Sequence, residues 1–400
     1  MVPKKIIITP DSFKGTLTSR EAADIIAEEI SFAFPECEII KMPIADGGEG
    51  SVDVILSAVG GDIYTAEVLS PDDRMIDAYY GIADNGTVIM EMAQSSGITK
   101  QNGLHPMTST TYGFGQLISD ALNTILRDSH NSHNLHDLTD KIGKFNLCIG
   151  GSATTDGGCG MAAALGVKFY NEHGDEFIPC GETLGDIAKI DTTGLDERVT
   201  GYNFTVMCDV DNPLFGTNGA AYVYGPQKGA DPDQIVILDT GLRHYGSVLE
   251  KHFGKSFSDI PGAGGAGGLG AGCLAFLNAE MQSGIDAILK IYDFKEQCKD
   301  ADLIITGEGK LDSQSFQGKV LSGILRESGN VPVWSICGVC DHSPEESAKK
   351  SITGIRTEPV VVFEISEFAS YEESMKEPGK HLRTAIKRAI KILTIQQISS

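Results

Sequence analysis

Short apolar runs alternate with amphipathic segments along this chain, and the alternation predicts an α/β protein. The runs 4–9 and 37–42 have the length of buried strands, and apolar residues at helical spacing follow the first of them. The same pattern returns near the other end, with strands predicted at 302–306, 332–337 and 360–364. Both ends of the chain therefore have the character of one βα-type domain.

The stretch between these ends has a different pattern. Alternating segments at 63–69, 76–82 and 87–92, with turn residues between them, predict an antiparallel meander. We interpret residues 1–62 and 296–400 as one α/β domain. Residues 63–295 form a second, inserted domain that is mixed α/β and carries most of the glycine-rich loops.

One loop of the inserted domain has the pattern of a phosphate-binding turn. An apolar run at 145–149 leads into glycines and hydroxyl residues, and an alanine-rich helix follows. Backbone N–H groups and the hydroxyls of Ser152, Thr154 and Thr155 would suit a polyphosphate. Asp156 would offer a carboxylate to a metal ion or a proton. The alternative is a tight strand–helix turn capped by Asp156, and no Gly-Lys-Ser/Thr sequence makes it a Walker A loop.

Carboxylates recur in five glycine-rich loops, and three lysines also lie in or beside glycine loops. The carboxylates are Asp11, Asp46, Glu49, Asp156, Asp209, Asp211, Glu308 and Asp312, and the lysines are Lys14, Lys228 and Lys310. Phosphoryl transfer needs this set, because lysine, Mg²⁺ and backbone N–H groups neutralise the phosphates while a carboxylate accepts the hydroxyl proton. No histidine lies in these loops, which disfavours a Ser-His-Asp triad.

Composition and charge narrow the choice of partners. The formal net charge of −23 argues against nucleic acids and anionic membranes. The odd count of nine cysteines fits reduced thiols, and no apolar run approaches the 18 residues that a membrane helix needs. We therefore expect a cytoplasmic protein, monomeric or homodimeric, that acts on small molecules.

Three weaker motifs have ordinary explanations. The G-x-G-x-x-G pattern within 262–270 lacks a preceding strand, so we expect a phosphate or hinge loop rather than an NAD site. The pair Cys337 and Cys340 lacks the setting of a thioredoxin-type motif. The histidine-rich stretch 128–144 lacks the spacing of a compact metal site, and we expect a solvated surface insertion.

Six longer motifs follow one another along the chain. They are Asp11-Ser-Phe-Lys-Gly15, Ala45-Asp-Gly-Gly-Glu-Gly50, Ile149-Gly-Gly-Ser-Ala-Thr-Thr-Asp-Gly-Gly158, Cys208-Asp-Val-Asp-Asn-Pro213, Gly225-Pro-Gln-Lys-Gly-Ala230 and Ile305-Thr-Gly-Glu-Gly-Lys-Leu-Asp-Ser-Gln-Ser315. Together they resemble the bacterial class I glycerate kinases. The resemblance implies ATP- and Mg²⁺-dependent phosphorylation of D-glycerate to 2-phosphoglycerate. It also implies a flavodoxin-like parallel-sheet domain beside an inserted α/β domain. Thr155 departs from the family pattern, where asparagine is expected.

We assign the candidate residues by role. The expected catalytic residues are Asp46, Asp11 and Lys14, with Asp11 or Asp46 as the base and Lys14 near the glycerate carboxylate or a phosphate. The expected phosphate- and ATP-binding residues are Gly150, Gly151, Ser152, Thr154, Thr155, Gly157, Gly158, Lys228, Gly307 and Lys310. The expected metal ligands are Asp156, Glu308, Asp209 and Asp312.

Several alternatives remain open from the sequence. Asp11 could instead cap the following turn while Lys14 is solvated. The product could be 3-phosphoglycerate, or the chain could be a nucleotide-binding dehydrogenase or sensor protein.

Overall fold

The chain forms two compact units, each assembled from separate segments. The computed structural model describes residues 2–13, 16–44, 47, 50–131, 143–311, 315, 320–340 and 361–398. The first unit comprises Met1–Asp46, Ser57–Val59 and Ile285–Ser400, and the second comprises Gly47–Leu56 and Gly60–Gly284. Lys14, Asp46, Glu49, Asp312 and residues 132–142 of the histidine-rich stretch lie outside the described residues.

The strands follow the predicted pattern at both ends and in the meander. In chain order they are β1 Lys5–Ile8, β2 Glu38–Lys41, β3 Gly61–Leu69, β4 Met75–Ala83, β5 Thr87–Glu91, β6 Lys144–Cys148, β7 Lys168–Tyr170, β8 Glu176–Phe177, β9 Lys189–Asp191, β10 Asn203–Met207, β11 Glu280–Gln282, β12 Leu303–Leu311, β13 Val333–Cys340 and β14 Val361–Glu364.

The helices lie mostly between these strands. They are α1 Ser19–Ala33, α2 Ser51–Val59, α3 Ala93–Ser96, α4 Tyr112–Asn131, α5 Cys159–Ala164, α6 Ala220–Tyr224, α7 Pro232–Phe253, α8 Gly265–Phe276, α9 Gly284–Ile291, α10 Phe294–Gln297, α11 Val320–Glu327, α12 Tyr371–Lys376 and α13 Pro378–Ile398. Short 3-10 turns occur at Ile98–Lys100, Gly181–Asp186, Glu197–Gly201, Pro226–Lys228, Cys298–Asp300 and Ile365–Glu367. Among the described residues, no helix combines the length and apolarity needed to cross a membrane.

The first unit has the flavodoxin-like fold. Its five strands are all parallel and lie in the order β14-β13-β12-β1-β2. Counted within the unit, this is the doubly wound order 2-1-3-4-5, in which the strand order reverses between β1 and β12. Ligands of such sheets bind at the carboxyl ends of the strands beside that reversal. The predicted fold class is confirmed.

Apolar residues on both faces explain why β1 is central in this sheet. Ile6, Ile7 and Ile8 are fully buried, as expected for a parallel strand covered by helices on both sides. On one side α1 begins with a capping box, in which Thr18 and Glu21 satisfy each other's backbone N–H groups. α13 packs against α1, where Arg383 approaches Glu29 at 3.2 Å.

The second unit has a mixed six-stranded sheet in the order β11-β10-β6-β5-β4-β3. β3, β4 and β5 are antiparallel neighbours, which confirms the predicted meander, whereas β5, β6, β10 and β11 run parallel. Tyr80, Phe114, Phe145 and Leu147 are fully buried in the core of this sheet. The carboxyl ends of its four parallel strands share one edge, and the glycine-rich loops follow from there.

One detail differs from the domain bounds predicted from the sequence. Residues 47–56, which the sequence places in the first domain, belong to the second unit, where Glu91 bonds the backbone N–H groups of Gly50 and Val52. Cys337 and Cys340 both lie on β13, and residues three apart in a strand point to opposite faces. All nine cysteines are free thiols.

Candidate phosphotransfer site

The loop after β6 exposes only its first residues. Gly151 is exposed and Gly150 is half-buried, whereas the residues from Ser152 to Gly160 are buried. Gly151 has φ +77°, a left-handed conformation that a residue with a side chain rarely adopts. Gly150 and Gly151 are therefore the residues that a phosphate can approach in this conformation, and we call these two and the adjoining Ser152 the loop tip.

Asp156 lies beneath this tip as a buried structural anion. Its side chain is fully buried and accepts hydrogen bonds from Thr111 N at 2.7 Å, Thr111 Oγ1 at 2.8 Å, Gly158 N at 3.1 Å and Gly160 N at 3.2 Å. These donors lie at the amino-terminal ends of α4 and α5, where a negative charge is favourable. Burial raises the pKa of the Asp156 carboxyl, and the bonds from Thr111 oppose that rise. The geometry favours a structural role over the metal-binding role expected from the sequence.

Lys228 is buried and is hydrogen-bonded to the loop that carries the tip. Only 2% of its side chain is exposed, and its Nζ donates to Ser152 Oγ at 2.7 Å and to Thr154 O at 2.6 Å. Burial lowers the pKa of Lys228 to about 7, against the opposing effect of the Asp156 charge. The lysine that the sequence assigns to phosphate binding therefore bonds the loop itself in this structure.

Glycines of α8 pack directly against the back of the loop. A Cβ on Gly267 would lie 1.9 Å from Thr154 O, and one on Gly268 would lie 3.0 Å from Gly157 Cα. Gly157 N also donates to Gly267 O at 3.1 Å. The G-x-G-x-x-G spacing thus serves backbone-to-backbone packing, which supports the expectation that it is not an NAD fingerprint. Thr154 and Thr155, predicted to bind ATP, are buried, and their hydroxyls have no hydrogen-bond partner among the described residues.

The second glycine-rich loop lies against the first. Gly150 N donates to Gly47 O at 3.2 Å. Gly50 N donates to Glu91 Oε2 at 3.0 Å, and Val52 N donates to Glu91 Oε1 at 2.7 Å. The sequence reasoning missed Glu91, although a carboxylate that ends the apolar run of β5 was a usable signal.

The acidic segment after β10 forms a third part of this edge. Asp209 and Asp211 are exposed, and Asp209 Oδ1 accepts a hydrogen bond from Gly284 N at 2.7 Å. Asn212 fixes the segment, because its Nδ2 donates to Asn218 O at 2.7 Å and its Oδ1 accepts from the Tyr224 hydroxyl at 2.6 Å. The segment therefore presents carboxylates to solvent from a defined backbone.

In the first unit, predicted residues lie just beyond the end of β1 and in the carboxyl-terminal half of β12. Asp11 N donates to Gly307 O at 2.8 Å, and Asp11 Oδ1 accepts from Ser12 N at 2.6 Å. Glu308 Oε2 accepts a hydrogen bond from Ser315 Oγ at 2.8 Å. The carboxylates of Asp11 and Glu308 are both half-buried. Lys310 is exposed on the same strand. These groups lie at the switch point of the parallel sheet, where ligands of this fold bind.

The described carboxylates suit Mg²⁺ bound together with phosphates rather than a closed protein cage. Within the described ranges, no group of three or more His, Cys, Asp or Glu side chains is arranged to hold a metal ion. Mg²⁺ commonly needs only one or two carboxylates beside substrate phosphates and water. Glu308 and Asp209 each keep accessible surface for such a contact, whereas Asp156 does not.

Glycine-rich loops and carboxylates at the carboxyl ends of parallel strands are typical of enzymes that handle phosphorylated substrates. Residues 6–394 match the model of the glycerate kinase family. The chain belongs to this family.

Individual relatives agree with the family match. The chain is 41% identical to a glycerate kinase of Bacillus subtilis (strain 168), over 84% of this chain and 85% of that protein. It is 40% identical to glycerate 2-kinase of Escherichia coli (strain K12), over 84% and 85% of the two chains. A crystal structure of a candidate glycerate kinase 2 from Salmonella typhimurium LT2 superposes with a TM-score of 0.82 at 33% identity, covering 98% of this chain and 99% of that one.

The packing of α8 against the loop predicts a steric cost at Gly267. Gly267→Ala should lower the free energy of unfolding by about 1–3 kcal/mol more than Gly254→Ala does. Both glycines have similar positive φ values, +70° and +71°, but Gly254 has no heavy atom within 4 Å of its would-be Cβ. Urea unfolding of the two variants measures the difference, and equal destabilisation would contradict the close contact with Thr154.

Burial of Lys228 predicts a pH-dependent contribution to stability. Its pKa is about 7 when folded, against an ordinary value of 10.5, so unfolding takes up a proton between these pH values. The contribution of Lys228 to the free energy of unfolding is therefore complete above about pH 10.5, and it is lost as the pH falls towards about 7. The free energy of unfolding of the wild type, relative to Lys228→Met, should rise from pH 7 to pH 9. A difference that is constant or falls with pH would contradict the assignment.

Proposed function

We propose that this protein is a glycerate kinase that transfers the γ-phosphoryl group of ATP to D-glycerate and forms 2-phosphoglycerate. Membership of the glycerate kinase family carries the proposal. The glycine-rich loops and carboxylates at the carboxyl ends of the parallel strands in both sheets support it, because phosphoryl transfer relies on positioning and charge neutralisation.

At the edge of the first unit, we assign the acceptor chemistry to the predicted catalytic residues. Asp11 or Asp46 would take the proton from the attacking hydroxyl, and Lys14 would pair with the glycerate carboxylate or a transferring oxygen. Asp11 supports this role by its half-buried position beside Gly307. Gly307 and Lys310, on β12, would contact phosphate oxygens.

In the second unit, we assign phosphate contact to the tip residues Gly150, Gly151 and Ser152. Thr154, Thr155, Gly157, Gly158 and Lys228 would act on ATP by holding that tip. Their burial and the bonds of Lys228 to Ser152 and Thr154 support this division. Preformed support lowers the cost of ordering the loop when the phosphates bind.

Mg²⁺ would be held by carboxylates that retain exposed surface. Among the described residues, Glu308 and Asp209 fit this role, and Asp312 is a further proposed ligand. When bound, Mg²⁺ would neutralise charge on the transferring phosphates. Asp156 we assign to the internal support of the loop.

We also propose a cytoplasmic location and small-molecule partners only. The nine free cysteines support a reducing compartment. The net charge of −23 disfavours nucleic acids and anionic membrane surfaces.

The proposal predicts ADP release that depends on both D-glycerate and Mg²⁺. A coupled ADP assay measures it, and ³¹P NMR of the product separates 2-phosphoglycerate from 3-phosphoglycerate. We expect 2-phosphoglycerate. Turnover without glycerate, reduction of a nicotinamide cofactor, or ATP binding without turnover would each reject the proposal. Formation of 3-phosphoglycerate would reject its regiochemistry.

The assigned role of Glu308 predicts a large loss of rate on its neutralisation. Glu308→Gln should lower kcat by about 100-fold, because one charged ligand of the phosphate–Mg²⁺ complex is lost. Glu296→Gln is the matched control on the same unit, since Glu296 forms an exposed ion pair with Lys299. Steady-state kinetics at saturating Mg²⁺ measure both, and a kcat of Glu308→Gln within about twofold of wild type would remove Glu308 from the site.

A further inference from the structure

Glu91 is a fully buried carboxylate with no part in the chemistry assigned above. It ends β5, and both of its oxygens accept hydrogen bonds. Oε1 accepts from Val52 N at 2.7 Å, and Oε2 accepts from Gly50 N at 3.0 Å and Gln94 Nε2 at 3.1 Å. Gly50 and Val52 lie at the amino-terminal end of α2, so Glu91 supplies the cap of that helix from 41 residues further along the chain.

Capping alone does not explain a buried carboxylate at this place. The N-cap residue Gly50 has φ +91° and no side chain that could cap α2. A serine or aspartate at the N-cap position could accept from Val52 N near the surface without the cost of burying a charge, but it would leave the N–H of residue 50 itself without that acceptor. Burial raises the pKa of Glu91, and the bonds from Val52, Gln94 and Gly50 oppose the rise.

The position of Glu91 in the sheet shows what the long-range bond achieves. Glu91 lies opposite Cys148 in the β5–β6 pairing, and Met92 N donates to Cys148 O at 2.9 Å. Two residues after Cys148 the chain reaches Gly150, which donates to Gly47 O at 3.2 Å. Gly47 is thus bonded to Gly150 of the phosphate-loop tip, and Gly50 is bonded to Glu91.

We propose that Glu91 is a positioning residue for phosphoryl transfer, which fixes Gly50 and Val52 at the start of α2 to the end of β5, beside the strand β6 that leads into the tip Gly150–Ser152. The inference rests on the proposed kinase function. In the sequence, the proposed catalytic residue Asp46 directly precedes Gly47. A displacement of Gly47 would therefore also displace Asp46. Misplacement of reacting groups by about 1 Å can cost about 100-fold in rate.

The arrangement requires a carboxylate rather than an amide. Three donors converge on the two oxygens of Glu91. A glutamine has nearly the same volume, but its NH₂ group would face at least one of these donors. Glu91→Gln therefore disturbs the bonds to the loop without opening a cavity.

The test compares turnover and stability in matched variants of the full chain. Glu91→Gln should lower kcat for D-glycerate by about 10- to 100-fold at a temperature where the variant is folded, with a KM for ATP within about threefold of wild type. Asp302→Asn is the control, because Asp302 Oδ2 also accepts two backbone N–H groups, from Lys4 at 2.6 Å and Lys5 at 3.0 Å. These lie at the amino end of the first sheet, so the control should lower Tm and keep the wild-type kcat.

A second pair of variants separates positioning from folding. The double variant Glu91→Gln with Gln94→Glu exchanges the two side chains, which are in contact in the wild type. A carboxylate then remains beside the backbone donors, and part of the lost kcat should recover. Glu91→Asp keeps the charge but shortens the reach, so kcat should also fall. A folded Glu91→Gln or Glu91→Asp with kcat within about twofold of wild type would overturn the inference. Failure of both to fold would also overturn it, because Glu91 would then serve folding alone. A wild-type protein inactive on D-glycerate would instead reject the proposed function.

Discussion

Burial of charged groups beneath glycine-rich loops is the constraint on which the second unit depends. Asp156 and Lys228 are both almost fully buried. Each forms its hydrogen bonds with backbone groups or hydroxyls of the loop and its neighbours. Burying such groups is costly unless every bond is made. The loop conformation, its glycines and the amino-terminal ends of α4 and α5 must therefore be formed together.

Glycines allow this arrangement because they let backbones touch. α8 approaches the loop so closely at Gly267 that a methyl group would overlap Thr154 O. The left-handed residues of the loop and of α8 satisfy the same demand. The result is a loop with few exposed residues at its tip and many buried residues packed behind them. A phosphate-binding loop benefits from this, because its ordering cost has been met in folding.

The sequence predicted the fold well, because the fold follows from local patterns. Apolar runs on β1, β12 and β13, helical spacing between them and the turn residues of the meander led to the correct strands and to two α/β parts. The site was harder to predict. The glycine-rich loops were identified, but the sequence did not indicate that Asp156 and Lys228 are buried and bonded within the protein. Glu91 was missed because its partners Gly50 and Val52 lie 41 and 39 residues away.

By itself, the sequence determined the fold class, the family and the set of loops that carry the chemistry, since these depend on residue type and order along the chain. Only the tertiary structure decided which polar residues lie at the loop tip and which are bonded inside the protein. Ser152 and Asp156 lie four residues apart in one motif, yet Ser152 belongs to the tip and Asp156 caps two helices from inside. The reason is physical: a carboxylate looks the same in a sequence whether its hydrogen-bond donors come from a substrate or from distant segments that folding brings beside it.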